Sequence, residues 1–304
     1  MLMLLGLALP LAALGFAFDG GSDDEDSVEL VGTEADDRFE GELGDDFIDG
    51  QAGDDVMNGR AGNDTIFGRE GDDVLQGEDG DDMLCSGDGD DVITGNTGQD
   101  LLEGQEGNDF VSGDYGWDTV RGNEGEDTVI GGRGGDVLAG NQGDDVLFGG
   151  IIEGVPLNLE ELTELRDGGS LADINGGIDM RDDSLGNELY GGSGNDQLII
   201  GSGDQATGGT GEDTFNIMSE QNTVMMATIT DFDTAEDAIT VIVEDTAEDA
   251  DITVSEDGGD AVIQMGDTVL ARVEGAGGTL QAEDVTLVAQ NAIEAMFDPN
   301  GAAA

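Results

Sequence analysis

From Gly41 to Phe148 the chain repeats one order of apolar and polar positions every nine residues, twelve times in unbroken register. Units such as Gly50 to Asn58 (GQAGDDVMN), Gly59 to Phe67 (GRAGNDTIF) and Gly140 to Phe148 (GNQGDDVLF) share Gly at positions 1 and 4, Asp at position 6 and an aliphatic residue at position 8. The second Gly and the Asp never fail, from Gly44 and Asp46 to Gly143 and Asp145, and only Ser86 breaks the glycines at position 1. Position 8 reads Ile48, Met57, Ile66, Leu75, Leu84, Ile93, Leu102, Val111, Val120, Val129, Leu138 and Leu147.

Two glycines three residues apart predict a turn that needs positive φ or close backbone approach, and the three residues after the Asp predict a very short strand. Side chains alternate along a strand, so position 8 faces one way while positions 7 and 9 face the other. One buried aliphatic contributes roughly 1.5–3 kcal/mol, whereas ordering a backbone costs about 1–2 kcal/mol per residue. A single unit therefore does not fold alone. Stacked coils with parallel strands and one internal aliphatic row remove the difficulty.

Charge adds a further constraint. The 304 residues hold 72 Asp and Glu against 8 Lys and Arg, a formal charge of −64, which repels nucleic acid and anionic membranes. Most units place a second acidic or amide residue before the Asp, for example Asp45, Asp54, Asn63, Asp72, Asp81, Asp90, Asn108 and Asp144. Stacking brings these side chains together, so repulsion opposes it until a divalent cation intervenes. With no His and a single cysteine, Cys85, the donors on offer are hard oxygens, which suit Ca²⁺ better than Zn²⁺ or Mg²⁺. The lone Cys85 excludes an intramolecular disulfide and falls at outward position 9.

These units resemble the GGxGxDxUx nonapeptides of the RTX (repeats-in-toxin) family, also called haemolysin-type calcium-binding repeats. Gly191 to Ile199 (GGSGNDQLI) and Gly208 to Asn216 (GGTGEDTFN) match that pattern letter for letter, and Val31 to Glu40 resembles an opening unit with Ala35 in place of the second turn glycine. The resemblance implies an all-β fold, a parallel β-roll of two units per coil with Ca²⁺ between the turns of neighbouring coils. Carried onto this chain, one edge stacks Asp46, Asp64, Asp82, Asp100, Asp118 and Asp136, and the other stacks Asp37, Asp55, Asp73, Asp91, Asp109, Asp127 and Asp145. Asp196 and Asp213 are the ligand candidates of the later units, with Asp204 weaker. The chain departs from the family at position 2, where only Gly87 and Gly132 keep glycine, and at position 5 of one edge, where Gln99, Trp117 and Gly135 replace acids, so unequal sites are expected.

Around the roll, residues 1–18 form a chargeless stretch expected to be an export signal or membrane anchor, and 19–27 an acidic linker. The roll is expected over 28–150 and again over 184–216. The insertion 151–183 carries a short helix from about Leu159 to Arg166, read from Asn158 with Glu161 and from Leu157, Leu162 and Leu165 at helical spacing. Residues 217–288 alternate β-branched and polar positions and predict a small antiparallel cap, with 289–304 as a tail. In the family a C-terminal signal directs one-step (type I) secretion, which Asp284 to Phe297 could supply to an export machinery.

The absence of His excludes a His-based triad and the zinc-protease helix found in some RTX enzymes. The expected function is a non-enzymatic, calcium-binding protein, secreted or on the cell surface, that folds on Ca²⁺ after export. Two rivals stand beside it: a calcium-dependent adhesin or surface-layer component, and a small toxin or enzyme with activity in the C-terminal region. The adhesin reading draws on position 7, where Phe47, Val56, Val74, Val92, Phe110 and others promise an apolar outer row suited to self-association or a surface partner.

Overall fold

A computed structural model describes residues 27–152, 157–171, 179–219, 225–243, 251–294 and 297. The apolar stretch 1–18, nearly all of the acidic linker and residues 298–304 of the tail lie outside the described residues. Among the described residues no helix is long and apolar enough to cross a membrane.

The chain winds into a parallel β-solenoid. Alternate units feed two sheets, one beginning Glu29–Val31, Phe47–Ala52, Thr65–Glu70, the other Arg38–Glu40, Val56–Ala61, Val74–Asp79. As far as Phe148 each strand pairs with the residues eighteen positions on, as Ile48 does with Ile66 and Met57 with Leu75. The position 8 residues of both sheets are wholly buried and form one continuous core between them.

Strands run longer than the three residues expected. Phe47–Ala52 spans positions 7 to 9 and the first three of the next turn, and pairing resumes after position 1, at Gln51 with Arg69 and Ala52 with Glu70. That continuation forces position 2 into left-handed backbone: Gln51 has φ 80°, Arg69 94°, Glu78 81° and Gln105 94°. For residues other than glycine this conformation costs roughly 1–2 kcal/mol, a strain that the coil-to-coil hydrogen bonds impose. Position 4 has no such latitude. A Cβ on Gly80 would lie 1.8 Å from the Gly62 carbonyl oxygen of the preceding coil, so the turns stack at backbone contact.

The insertion lies against the side of the roll. Its helix, Leu159–Arg166, starts at Asn158, whose side chain accepts from the Glu160 and Glu161 amides while Glu161 returns a bond to the Asn158 amide. Leu157, Leu162, Leu165 and Leu171 pack on Val56, Val74 and Val92, which are buried as a result. Gln76 Nε2 donates to the Leu157 carbonyl, and Arg166 reaches the carbonyls of Asp54 and Asp72. Position 7 of this sheet is therefore covered at Val56, Val74 and Val92, which are not available as an association surface, whereas Phe110 is half-buried. On the other sheet Met83 and Val137 remain exposed.

Beyond the insertion the register resumes with Leu138 against Leu189 and Leu147 against Leu198. The C-terminal region prolongs both sheets before it closes one of them. Ala227–Ile229 and Ala238–Val243 still pair in parallel with the roll, and Val285–Ala289 adds in parallel to the second sheet. The antiparallel cap is confined to Ile252–Asp257, Asp260–Met265 and Thr268–Val273, which end the first sheet. Phe297 is buried against Phe148, ring centroids 6.0 Å apart.

Leu162 sits at the centre of the side cover, 1 % exposed. Leu162→Ala should lower stability by about 2–4 kcal/mol in chemical denaturation of the calcium-loaded protein. A change below about 1 kcal/mol would show that the cover contributes little.

Candidate metal centre

The two edges of the roll carry the position 6 aspartates in two columns. Along the first, the Asp46 amide donates to Asp64 Oδ1, Asp64 to Asp82, Asp82 to Asp100, Asp100 to Asp118 and Asp118 to Asp136, at 2.7–2.9 Å. Along the second, Asp37 donates to Asp55, Asp55 to Asp73, Asp73 to Asp91, Asp91 to Asp109, Asp109 to Asp127 and Asp127 to Asp145, at 2.6–2.9 Å. Asp196 and Asp213 extend the second column.

The first column continues through Asn187 and then Asp204, and the second reaches Asp237. Asn187 and Asp237 escaped the sequence reading, although each stands two residues before an apolar residue of the core, Leu189 and Ile239, the spacing that marks position 6. Asn187 makes one rung of its column uncharged.

Position 5 builds a second, exposed ladder of opposite direction. Here the side chain accepts from the amide of the following coil: Asp54 from Asp72, Asp72 from Asp90, Asp90 from Asn108, Asn108 from Glu126. The turns of Asp54, Asp72, Asp90 and Asn108 are thus held by one side chain reaching back and one reaching forward.

Only half of each inner carboxylate is satisfied. Oδ2 of Asp55, Asp64, Asp73, Asp82, Asp91, Asp100, Asp109, Asp118, Asp127, Asp136, Asp145 and Asp196 is buried with no hydrogen-bond partner. A buried acceptor without a partner carries a full desolvation penalty, larger still for a charged group. At the first coil the situation differs: Asp37 Oδ2 takes the Thr33 amide and hydroxyl, and Asp46 Oδ2 takes the Glu42 amide.

The orphaned oxygens face a second oxygen across a space that glycine leaves open. A Cβ on Gly68 would lie 2.2 Å from Asp73 Oδ2 and 2.5 Å from the Ser86 carbonyl of the next coil. On Gly77 it would lie 2.2 Å from Asp82 Oδ2 and 2.8 Å from the Gly95 carbonyl. Among the described residues no three acidic or thiol side chains converge on one point, so a cation here would draw on backbone carbonyls as well as carboxylates. Hard, flexible, all-oxygen surroundings of this kind fit Ca²⁺. Bound there, the ion would supply the positive charge that the inner Oδ2 atoms lack.

Ser86 is the exception. Its side chain is buried and its hydroxyl donates to the Gly104 carbonyl at 2.9 Å, occupying the oxygen that the other units leave free beside the carboxylate, here Asp91.

Withdrawal from water pushes the inner carboxyls up, to about 8 at Asp73 and Asp118 and to about 9 at Asp109, against the lowering effect of the amide each accepts. Neighbouring carboxylates add to the rise, Asp91 and Asp127 for Asp109. Asp64 and Asp127 rise to about 6 for the same reason, and Asp91 also reaches about 6, its burial offset by the neighbouring Ser86 hydroxyl and the Asp73 amide.

Residues 31–66, 59–93, 94–129, 121–151 and 186–204 match the family described as RTX calcium-binding nonapeptide repeat (4 copies). Among solved structures, the chain is similar to the AlgE6R3 subunit of the Azotobacter vinelandii mannuronan C5-epimerase, at 20% identity over 63% of this chain and 82% of that one, TM-score 0.26. It is also similar to the extracellular lipase LipA of Serratia marcescens, at 16% identity over 70% of this chain and 40% of that one, TM-score 0.24. No curated protein matches the chain.

Ser86→Gly should free the Gly104 carbonyl and raise either the number of ions bound or the affinity in a calorimetric Ca²⁺ titration, while Gly68→Ala should lower it. Identical isotherms for both variants and the parent would remove position 1 from the site. A carboxyl whose folded pKa exceeds its unfolded value of about 3.9 contributes most below that value and loses its contribution as pH rises through the folded pKa. Protein stripped of metal should therefore hold most β structure near pH 4 and lose it through pH 6–9, the range of the inner carboxyls. At pH 7 ion uptake should release protons, read as a heat that varies with the ionisation enthalpy of the buffer.

Proposed function

We propose that this chain, whose residues 31–151 and 186–204 are RTX calcium-binding nonapeptide repeats, is a non-catalytic β-roll protein of the cell exterior that folds when it meets Ca²⁺. The observation that supports this reading is the series of twelve buried Oδ2 atoms without partners along both edges. Stacking the coils buries these charges beside one another, so the compact state and the ion favour each other, and ion-binding energy becomes folding energy. A charge of −64 keeps the ion-free chain expanded by self-repulsion. Where calcium is scarce, as inside a cell, the chain stays open for export; where it is plentiful, the roll closes.

The C-terminal segment adds support for this order of events. Val285–Ala289 is paired into the second sheet, and Ile293 and Phe297 are buried on its outer side. An exporter that reads Asp284 to Phe297 would have to do so before folding, which delayed, calcium-dependent closure allows. The non-catalytic reading is supported by the lack of any His in the chain and by the repetitive setting of its paired carboxylates.

Circular dichroism of the purified chain should show a β spectrum in Ca²⁺ that collapses on addition of a chelator and returns on recalcification. A β spectrum indifferent to the chelator would sink the coupling of folding to the ion.

A further inference from the structure

The two edges of the roll differ in what they show to solvent. On the second edge every coil from Asp54 to Asp144 presents at least one acid at turn positions 3 and 5, for example Glu70 with Asp72 and Asp88 with Asp90. On the first edge three consecutive coils present none: Thr97 with Gln99, Tyr115 with Trp117, Arg133 with Gly135. The position 5 ladder breaks at the same place. The Gln99 amide still donates to Asp81, and the next contact from a turn amide, that of Gly134, goes to Asp183 of the re-entering chain.

An aromatic cleft occupies this stretch without turn acids. Trp117 is 71 % exposed and Tyr115 42 %, and together with Leu185, 48 % exposed, they line a broad, open cleft of about 580 Å³. Gly116 and Gly134, which carry no side chain, complete the lining between these residues. The Arg133 guanidinium lies over the Tyr115 ring, 5.5 Å from its centroid, which holds that ring in place and puts N–H donors at the rim. Gln99 adds an amide with both donor and acceptor capacity.

We propose that this cleft binds a neutral glycan. A pyranose ring has an apolar C–H face that stacks on an aromatic plane and a rim of hydroxyls that both donate and accept, which Trp117, Tyr115, Gln99 and Arg133 complement in turn. The strongly acidic remainder of the molecule selects against polyanionic sugars and anionic lipid. This assignment stands apart from the calcium reading, needing the folded roll but no particular ion stoichiometry.

Trp117 is the sole tryptophan of the chain, so its emission reports the cleft directly. In calcium-loaded full-length protein, maltohexaose, cellohexaose and laminarihexaose are titrated while the emission is recorded, with oligogalacturonate as the charged comparison. At least one neutral oligosaccharide should give a saturable shift, and oligogalacturonate none. Calorimetry should show binding weakened at least about tenfold in Trp117→Ala and in Tyr115→Ala, which removes the second ring, with both variants keeping the parental β spectrum. The proposal is overturned if no neutral oligosaccharide binds, if oligogalacturonate binds equally well, or if binding survives both substitutions. A shift that follows protein concentration alone would assign the cleft to a second copy of the chain and overturn it too. Loss of the chelator response would leave these outcomes readable, because they depend only on whether the roll is folded.

Discussion

A carboxylate that can satisfy only one of its two oxygens is the constraint on which this molecule rests. At position 6 from Asp55 to Asp145 Oδ1 is bonded to an amide of the coil before, which fixes the distance between coils, while Oδ2 is buried opposite a carbonyl of the coil after. The hydrogen bond draws the coils together, and the unpartnered oxygen makes that approach unfavourable unless a positive charge arrives. Coil spacing, core and metal centre follow from one side chain. The glycines are subordinate to it: position 1 leaves space beside Oδ2, and position 4 lets the turns touch.

Much of this was legible in the residues. A nine-residue period with unfailing Asp at position 6 and an aliphatic at position 8 leaves few architectures, and the pairing of Ile48 with Ile66 follows from two units per coil. The capping residues Asn158 and Glu161 marked a helix whose limits they set locally. What the pattern could not carry were contacts between distant parts of the chain. Nothing in the triplets VMN, VLQ and VIT says that Val56, Val74 and Val92 lie beneath a helix much later in the chain and that Met83 and Val137 of the other sheet stay open. Strand length was also misjudged, because glycine and polar side chains at positions 1 to 3 read as turn, whereas hydrogen bonding to neighbouring coils keeps them in the ladder at the expense of positive φ.

The candidate site was read from the period and lost where the period slips. From Leu189 to Ala206 the register advances by seventeen residues rather than eighteen, and from Phe215 to Ile239 by twenty-four. Asn187 and Asp237 hold the position 6 role on either side of those slips, and only their distance from a core residue identifies them. At Ser86 one hydroxyl closes a space that the rest of the array leaves open.

The back-folded insertion changes how the array comes apart. A plain solenoid has only nearest-neighbour terms, so it frays from its ends one rung at a time. Here Leu157 and the helix after it follow the coil of Phe148 in sequence yet grip the coils of Val56, Val74 and Val92, as a strap ties a stack of plates. Early rungs cannot peel away without also releasing a late segment, so the middle of the stack melts as a block, and its assembly waits on closing a loop of some eighty residues between Gln76 and Leu157.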